Sequence, residues 1–406
     1  MPNTNLTVDW IGNEALRLAH EKLQFIGSIN REFDSSFKPG YGNAIRIRVP
    51  SQYSVTNGRV IDVQDSVEQS TSITVATQTH VALRYNSQEM AQDLVNFQKL
   101  HLEPAMAQLA SDVENTVLTG CTRLTFQNVG TAGTAISSLQ VPGLARARLN
   151  QQLAPKSNRS IVMDSVTMAD LVHGFAAYFN PSNAISEQYR EGLVARTSMA
   201  DYYESERVLS LANSAVSTLS TMSTYTITEG DIDIIISTNV TTPTTGMTLT
   251  IGHTSTGGIF ACHPETKAAY GHLQTFTVLA GSNSTLINIS PTIRITGPRK
   301  NVCRANGDDL IVSSLTTALV TFTGAANSTY PTPLMYHRDA FTFATAALPL
   351  MDDAIRCVVK TYDGVSLRVW EASDIRNDEK LTRIDILYGY AAIRPQWACR
   401  MIGTGT

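Results

Sequence analysis

Apolar residues at Ile11, Ala15, Leu18, Phe25 and Ile29 recur at helical spacing and predict a helix over residues 9–30, with Asp9 as its N-cap. Two alternating runs follow, Asn43 to Val49 and Thr71 to Tyr85, and both predict strands. Ile45, Ile47 and Val49 share one face; Ile73 and Val75, then Val81, Leu83 and Tyr85, continue the pattern. Between the strands lies a polar stretch, Ser51 to Ser70. A connection that long is unusual inside a compact domain, so it is expected to project outward. Residues 87–119 carry the longest helical pattern, through Met90, Leu94 and Phe97 to Leu102, Met106, Leu109, Val113 and Val117. Asn86-x-x-Glu89 reads as its capping box and Gly120 as its stop, while Pro104, which lacks an amide, predicts a kink.

A Gly- and Ala-rich connection leads to Ser160-Ile161-Val162-Met163-Asp164, a predicted strand that runs into a helix from Val166 to Phe175. That is the start of an α/β unit. The pattern then changes. Residues 211–226, 234–264 and 273–293 hold no Asp, Glu, Lys or Arg, and short β-branched runs alternate with turn residues. A small all-β domain inserted into the α/β region is predicted, with Pro331 and Pro333 at its exit. From Thr332 to Ile402 the chain reads as strands joined by tight turns. Tyr336-His337-Arg338-Asp339-Ala340-Phe341 comes first, then Tyr362-Asp363-Gly364-Val365-Ser366-Leu367-Arg368, and finally Leu387-Tyr388-Gly389-Tyr390 with Ile393-Arg394-Pro395.

Composition narrows the function. The 406 residues suit two or three domains. Only 16% are charged, against about 25% in an ordinary soluble domain. Such a surface is covered with Thr, Ser, Asn and Gln or with other protein. A net charge of −4 argues against a chain that grips nucleic acid. Five widely spaced cysteines, Cys121, Cys262, Cys303, Cys357 and Cys399, fit free thiols rather than a disulfide scaffold. No signal peptide and no long apolar run are visible, so a soluble chain made in a cytoplasm, without a membrane partner, is expected.

Candidate chemistry is thin. Phosphate-loop, His-Glu-x-x-His and Gly-x-Ser-x-Gly motifs are absent. His253, Cys262, His263 and His272 form the best metal set, but adjacent residues on a strand point to opposite faces. The carboxylate pairs Asp231 with Asp233, Asp308 with Asp309 and Asp352 with Asp353 each border a turn, where Asp is common for backbone reasons. No catalytic residue, cofactor or metal is expected.

The order of these pieces resembles the major capsid protein of tailed bacteriophages, in the podophage branch typified by the Salmonella phage coat protein. The resemblance implies an α+β capsid fold across the whole chain. It assigns residues 1–40 to an N-terminal arm, 41–86 to an extended loop, 87–160 to a peripheral domain with its spine helix and 161–223 to an axial domain. Residues 224–331 become an inserted small β-barrel, on runs such as Gly246-Met247-Thr248-Leu249-Thr250-Ile251 and Leu273-Gln274-Thr275-Phe276-Thr277-Val278, and 332–406 complete the axial and peripheral domains.

On this resemblance the chain is a non-enzymatic shell protein whose partner is itself, in pentamers and hexamers of an icosahedral virion capsid assembled in the host cytoplasm. The shell encloses double-stranded DNA without reading its sequence, and a scaffolding protein and a portal protein are implied. Arg46, Arg48, Arg59, Asp62, Asp65 and Glu68 are the candidate inter-subunit contacts, and Leu102, Pro104, Met106, Leu109 and Val113 the packing and kink positions of the spine helix. The alternative is an encapsulin-like nanocompartment shell enclosing cargo enzymes. A secreted β-rich adhesin is a third reading, against which the missing signal peptide and the long helix count.

Overall fold

Fourteen residues, Glu379–Ala392, form the longest strand described, and alternation along it explains its place: Ile384, Ile386 and Tyr388 are buried on one face. The computed structural model describes residues 13–18, 23–33, 42–53, 55, 58–61, 63, 65, 68–86, 103–175, 200–215, 219–221, 227–236, 241–253, 257–309, 319–351, 355–362 and 364–404. They divide into two units. The first takes residues 1–48, 70–118 and 341–393; the second takes 49–69, 119–340 and 394–406.

In the first unit the long strand pairs antiparallel with Thr77–Asn86, with Val365–Asp374 and with Phe341–Thr345. Arg356–Tyr362 then pairs with Val365–Asp374, and Tyr362 stands opposite Val365. Gly364 there has φ +77°, the left-handed geometry for which Asp-Gly turns are selected. Asp385, fully buried, accepts from Arg368 Nη2 and Arg383 Nε, each at 2.5 Å. Both guanidiniums lie by the Trp370 ring, 5.6 and 6.0 Å from its centroid. The buried carboxylate is therefore shared by two cations on neighbouring strands.

Three helical segments belong wholly or partly to this unit: α1 (13–18), α2 (Gln24–Ser28) and α3 (Glu103–Leu124). The single helix expected over 9–30 is broken, because Leu23 adopts ψ 82° and restarts the chain at α2. Asp9 lies outside the described residues. Met106, Leu109, Ala110, Val113 and Val117 are buried along α3, as their spacing predicts. Gly120 does not end α3, which runs on to Leu124. Cys121, buried one turn beyond Val117, continues the apolar face, and that packing outweighs the cost of a helical glycine, about 1 kcal/mol. Pro104 stands at the described start of α3, and because the chain before Glu103 lies outside the described residues the kink expected there is not tested. Leu102, the capping box at 86–89 and the rest of the helical pattern before Glu103 fall outside the described residues.

Glu114 is the charged residue among the buried side chains of α3. Its carboxylate accepts from the backbone N–H of Gln24 and Phe25 at 3.1 and 3.2 Å, closing the N-terminus of α2. Glu114→Ala leaves one buried and one part-buried amide without this acceptor and should lower unfolding free energy by about 1–3 kcal/mol. Glu114→Gln keeps one acceptor and should lose less. Urea unfolding of the purified subunit measures both.

Ala44–Val49 and Gln69–Thr74 pair as a two-stranded ribbon. Ile47 and Ile73 are buried with Val75, Ala344 and Ala391, while Arg46 and Arg48 point out. The second expected strand is two strands, divided at Val75 and Ala76. Gly389 meets this break so closely that a Cβ there would lie 2.1 Å from the Thr74 carbonyl oxygen, which explains the glycine.

The second unit is built on a five-stranded sheet in the order Asn128–Val129, Ala398–Met401, Leu334–His337, Arg159–Met163, Asp201–Glu204. Helices α4 (Gln140–Gln151) and α5 (Ser165–Phe175) supply Ala145, Leu149, Met168 and Leu171 to its core. The strand and helix expected near residues 160–175 are both present, with Asp164 Oδ2 accepting from Thr167 N at 3.1 Å as the cap. Helix α4 stands where the sequence reads as a connection. Pro142 and Gly143 hide it, yet both sit in the first turn, where proline removes no needed hydrogen bond.

The inserted β region follows. Its main antiparallel sheet runs Leu219–Thr221, Leu319–Phe322, Thr248–His253, Thr275–Val278, Leu286–Ser290, Asp233–Ile235. A second sheet joins Ala269–Leu273, Phe260–Cys262 and Val302–Cys303. Ile234, Leu249, Ile251, Phe276, Ile287 and Val320 lie in one shared core. Strand Leu219–Thr221 precedes the expected boundary at 224, and Ser210–Ala212 pairs with Thr329–Pro331 across the neck of the insertion. The paired region thus spans 210–331. Among the described residues the main sheet keeps two ends and no pairing closes it into a barrel.

Candidate assembly surfaces

The connection at 51–68 is less polar than its composition suggests. Val55, Val60, Ile61 and Val63 are 92%, 86%, 86% and 83% exposed, and Tyr53 is exposed with them. Isolated exposed apolar residues are ordinary; several within one short segment form an apolar patch in water. Of the expected contact residues, Arg46 and Arg48 stand on the outward face of the ribbon, and Arg59, Asp65 and Glu68 are exposed in the loop. Arg59 and Asp65 are not paired with each other. Asp62 lies outside the described residues. Sequence reasoning weighed the charges and passed over the valines, whose signal is their closeness within nine residues of a turn-rich stretch.

Strand edges offer a second kind of contact. Among the described residues, Arg356–Tyr362 pairs on one side only, and its charged Arg356 and Lys360 guard the open edge. Ile375, at the tip joining Val365–Asp374 to Glu379–Ala392, is 97% exposed. In the second unit α5 shows Val166 and Val172 to solvent.

The polar clusters serve the fold. Cys262 Sγ donates to Lys300 O at 3.1 Å, and Cys303 Sγ to Phe260 O at 3.8 Å. His263 Nδ1 accepts from the N–H groups of Glu265 and Thr266, each at 3.1 Å, closing a turn. His272 stacks on Tyr270 with centroids 5.5 Å apart. These three proposed ligands do not converge, and the His253 side chain lies outside the described residues. Asp231 accepts from Thr228 N and Oγ1, Asp308 from Asn306 Nδ2, and Asp309 from Lys300 Nζ. Each makes local turn or ion-pair bonds, as turn carboxylates do. Asp352 and Asp353 lie outside the described residues. Among the described residues no cluster of three His, Cys, Asp or Glu could hold a metal, and no helix is long and apolar enough to cross a membrane.

One residue that the sequence reading missed joins the inserted region to its host sheet. Arg400 is 1% exposed on strand Ala398–Met401. It donates to Thr125 O through Nε (2.6 Å) and Nη2, to Gly246 O (2.5 Å), to Thr277 Oγ1 (2.8 Å) and to Arg123 O (3.3 Å). Burial lowers its pKa to about 9, which leaves the guanidinium charged at neutral pH. Gly246 and Thr277 lie in the insertion; Arg123 and Thr125 lie at the end of α3 and just beyond it. Thr277 Oγ1 also donates to Arg123 O at 2.9 Å, and Asn128 Nδ2 to Thr248 and Thr323. The only sequence signal was a single charge within Ala398-Cys399-Arg400-Met401-Ile402.

Comparison with known proteins matches residues 45–405 to the family described as P22 coat protein, gene protein 5. No curated protein matches. Solved structures similar in outline include that of Mycobacterium phage Che8, at 11% identity and TM-score 0.49, covering 92% of this chain and 89% of that one. The capsid of cyanophage P-SCSP1u follows at 8% and 0.44, with 89% and 84% covered. The mature capsid of bacteriophage PhiM1 stands at 9% and 0.44, with 90% and 83% covered. These likenesses are too distant to carry weight; the family match spans most of the chain. It shows that this chain belongs to the P22 coat protein family and is a phage major capsid protein.

Proposed function

We propose that this coat protein, in building an icosahedral shell, encloses double-stranded DNA without reading its sequence, and that it assembles with a scaffolding protein and a portal in the host cytoplasm. The observation that supports the reading is the loop with Val55, Val60, Ile61 and Val63 held in water, in a chain of a coat-protein family. Neighbouring copies in five- and six-membered rings would cover these side chains, and the net charge of −4 suits a container that does not stick to its contents. The nanocompartment alternative has less behind it, because the matched family is that of a phage coat protein.

Electron microscopy of the expressed protein tests the shell, and the nucleic acid content of native particles tests the cargo. Stable monomers at high concentration would contradict self-assembly; particles filled with protein and free of DNA would favour the nanocompartment. Cohesion is expected to be non-covalent. An isopeptide weld needs a lysine amine on the loop, but between Ile45 and His80 the cations are Arg46, Arg48 and Arg59, with no lysine. Arginine keeps its proton and is no nucleophile. Mature particles boiled in detergent should run as one band near 44.1 kDa, and a ladder of covalent multimers would refute this.

A further inference from the structure

A cavity of about 510 Å³ opens between α4 and the inserted β region, within the second unit. Arg148 and Leu144 line it from α4, Gln151 from the end of that helix, and His272 and Leu273 from the opposite wall. Arg148 is the unusual member. The other withdrawn cations of this unit are well supplied: Arg400 has four acceptors, Arg159 bonds Pro155 O, Asn150 Oδ1 and Ala154 O, and Lys300 holds Gly307 O and Asp309. Lys267 holds Pro264 O and Pro298 O. Arg148 is half-buried with no hydrogen bond or ion pair from its side chain to any described residue.

Nothing nearby compensates its charge. Burial lowers the Arg148 pKa, and the sole opposing influence is the Cys399 thiol. That thiol is itself pushed up to about 12, so it is neutral and supplies no anion. The carbonyls at the end of α4 are engaged elsewhere, Gln151 O by Tyr270 Oη at 2.8 Å and Gln152 O by Trp397 Nε1 at 3.1 Å. Beside Arg148 the Gln151 side chain buries an Oε1 that accepts from no donor. His272 is neutral, its pKa lowered to about 4 by burial and then by Arg148 itself. A desolvated guanidinium and apolar walls from Leu144 and Leu273 form a consistent set of contacts. A carboxylate accepts the guanidinium fork in two parallel hydrogen bonds.

We propose that this cavity binds an acidic side chain of a peptide segment, with its carboxylate on Arg148 and an apolar neighbour against Leu144 and Leu273. The partner is a protein that presents such a segment; the site goes beyond the assembly surfaces above and uses none of their residues.

The test uses the full-length subunit and the peptide acetyl-Leu-Glu-Leu-amide. Its Gln counterpart serves as the neutral control and inorganic phosphate as the free oxyanion. Binding is read from the His272 ring proton by NMR. A bound carboxylate offsets the Arg148 field, so the His272 pKa should rise by about one unit. Arg148→Gln should weaken peptide binding at least tenfold, while Arg146→Gln on the same helix should not. Arg148→Met separates binding from folding: a cation without a partner gives the fold nothing, so its urea midpoint should stay or rise, whereas a structural arginine would lower it. Equal binding of the Glu and Gln peptides would overturn the proposal. So would unchanged binding by Arg148→Gln, a lower midpoint for Arg148→Met, or phosphate binding as tightly as the peptide.

Discussion

Arg400→Leu should lose about 3 kcal/mol or more of subunit stability and leave little protein able to assemble. The substitution removes five hydrogen bonds to four acceptors in a dry site, and it strands the Thr125 and Gly246 carbonyls, which face Arg400 from opposite sides of the junction. Each buried carbonyl left without a donor costs about 1–3 kcal/mol. Part of that loss is offset, because leucine needs no desolvation of charge. Arg400→Lys keeps the charge, but a single ammonium cannot span Thr125 O, Gly246 O and Thr277 Oγ1 together, so an intermediate loss is expected. Thr277→Val should cost less, about 1 kcal/mol. Its effect should be smaller still in the Arg400→Leu background, since the two residues belong to one network. Urea unfolding of the four proteins decides it. A midpoint for Arg400→Leu equal to that of the parent would show that the inserted region is held by its apolar contacts alone.

That junction was not legible in the sequence, for a physical reason. Whether an arginine in a short apolar strand is buried depends on groups supplied from far along the chain, here Thr125, Gly246 and Thr277. Arg148 was invisible on the same grounds, because its lack of a partner is a statement about the whole neighbourhood. What could be read was local. The alternation of Ile45 and Ile47 with Arg46 and Arg48 gave the ribbon its two faces. The run from Ser160 and the helical pattern from Val166 to Phe175 placed a strand and α5 after it. Local rules misled at Gly120, where packing along α3 outweighs the glycine, and at Pro142 and Gly143, which break no helix because they sit in the first turn of α4. The neck of the insertion escaped because the partner of Ser210–Ala212 arrives only at Thr329–Pro331. Composition marked the charge-poor interior of the insertion and could not mark the strands that clamp it.

The combined variant Val60→Ser, Ile61→Ser, Val63→Ser should separate folding from assembly. These side chains are almost wholly in water in the subunit, so replacing them should change its unfolding free energy by no more than about 0.5 kcal/mol. In a shell the same atoms are expected to lie against a neighbour, where burying each would contribute about 1.5–3 kcal/mol. Interfaces return only part of such transfer energy, since the loop must also be ordered when it docks. Even a net loss of about 3 kcal/mol per loop raises the concentration needed for assembly about a hundredfold. Arg59→Gln with Asp65→Asn should do far less, because exposed pairs contribute about 0–1 kcal/mol and are screened by salt. Light scattering against protein concentration, at low and high salt, measures both variants. If the triple serine variant forms shells at the parent concentration, the loop is not the adhesive surface, and cohesion has to be sought at the open edge of Arg356–Tyr362 and the tip carrying Ile375.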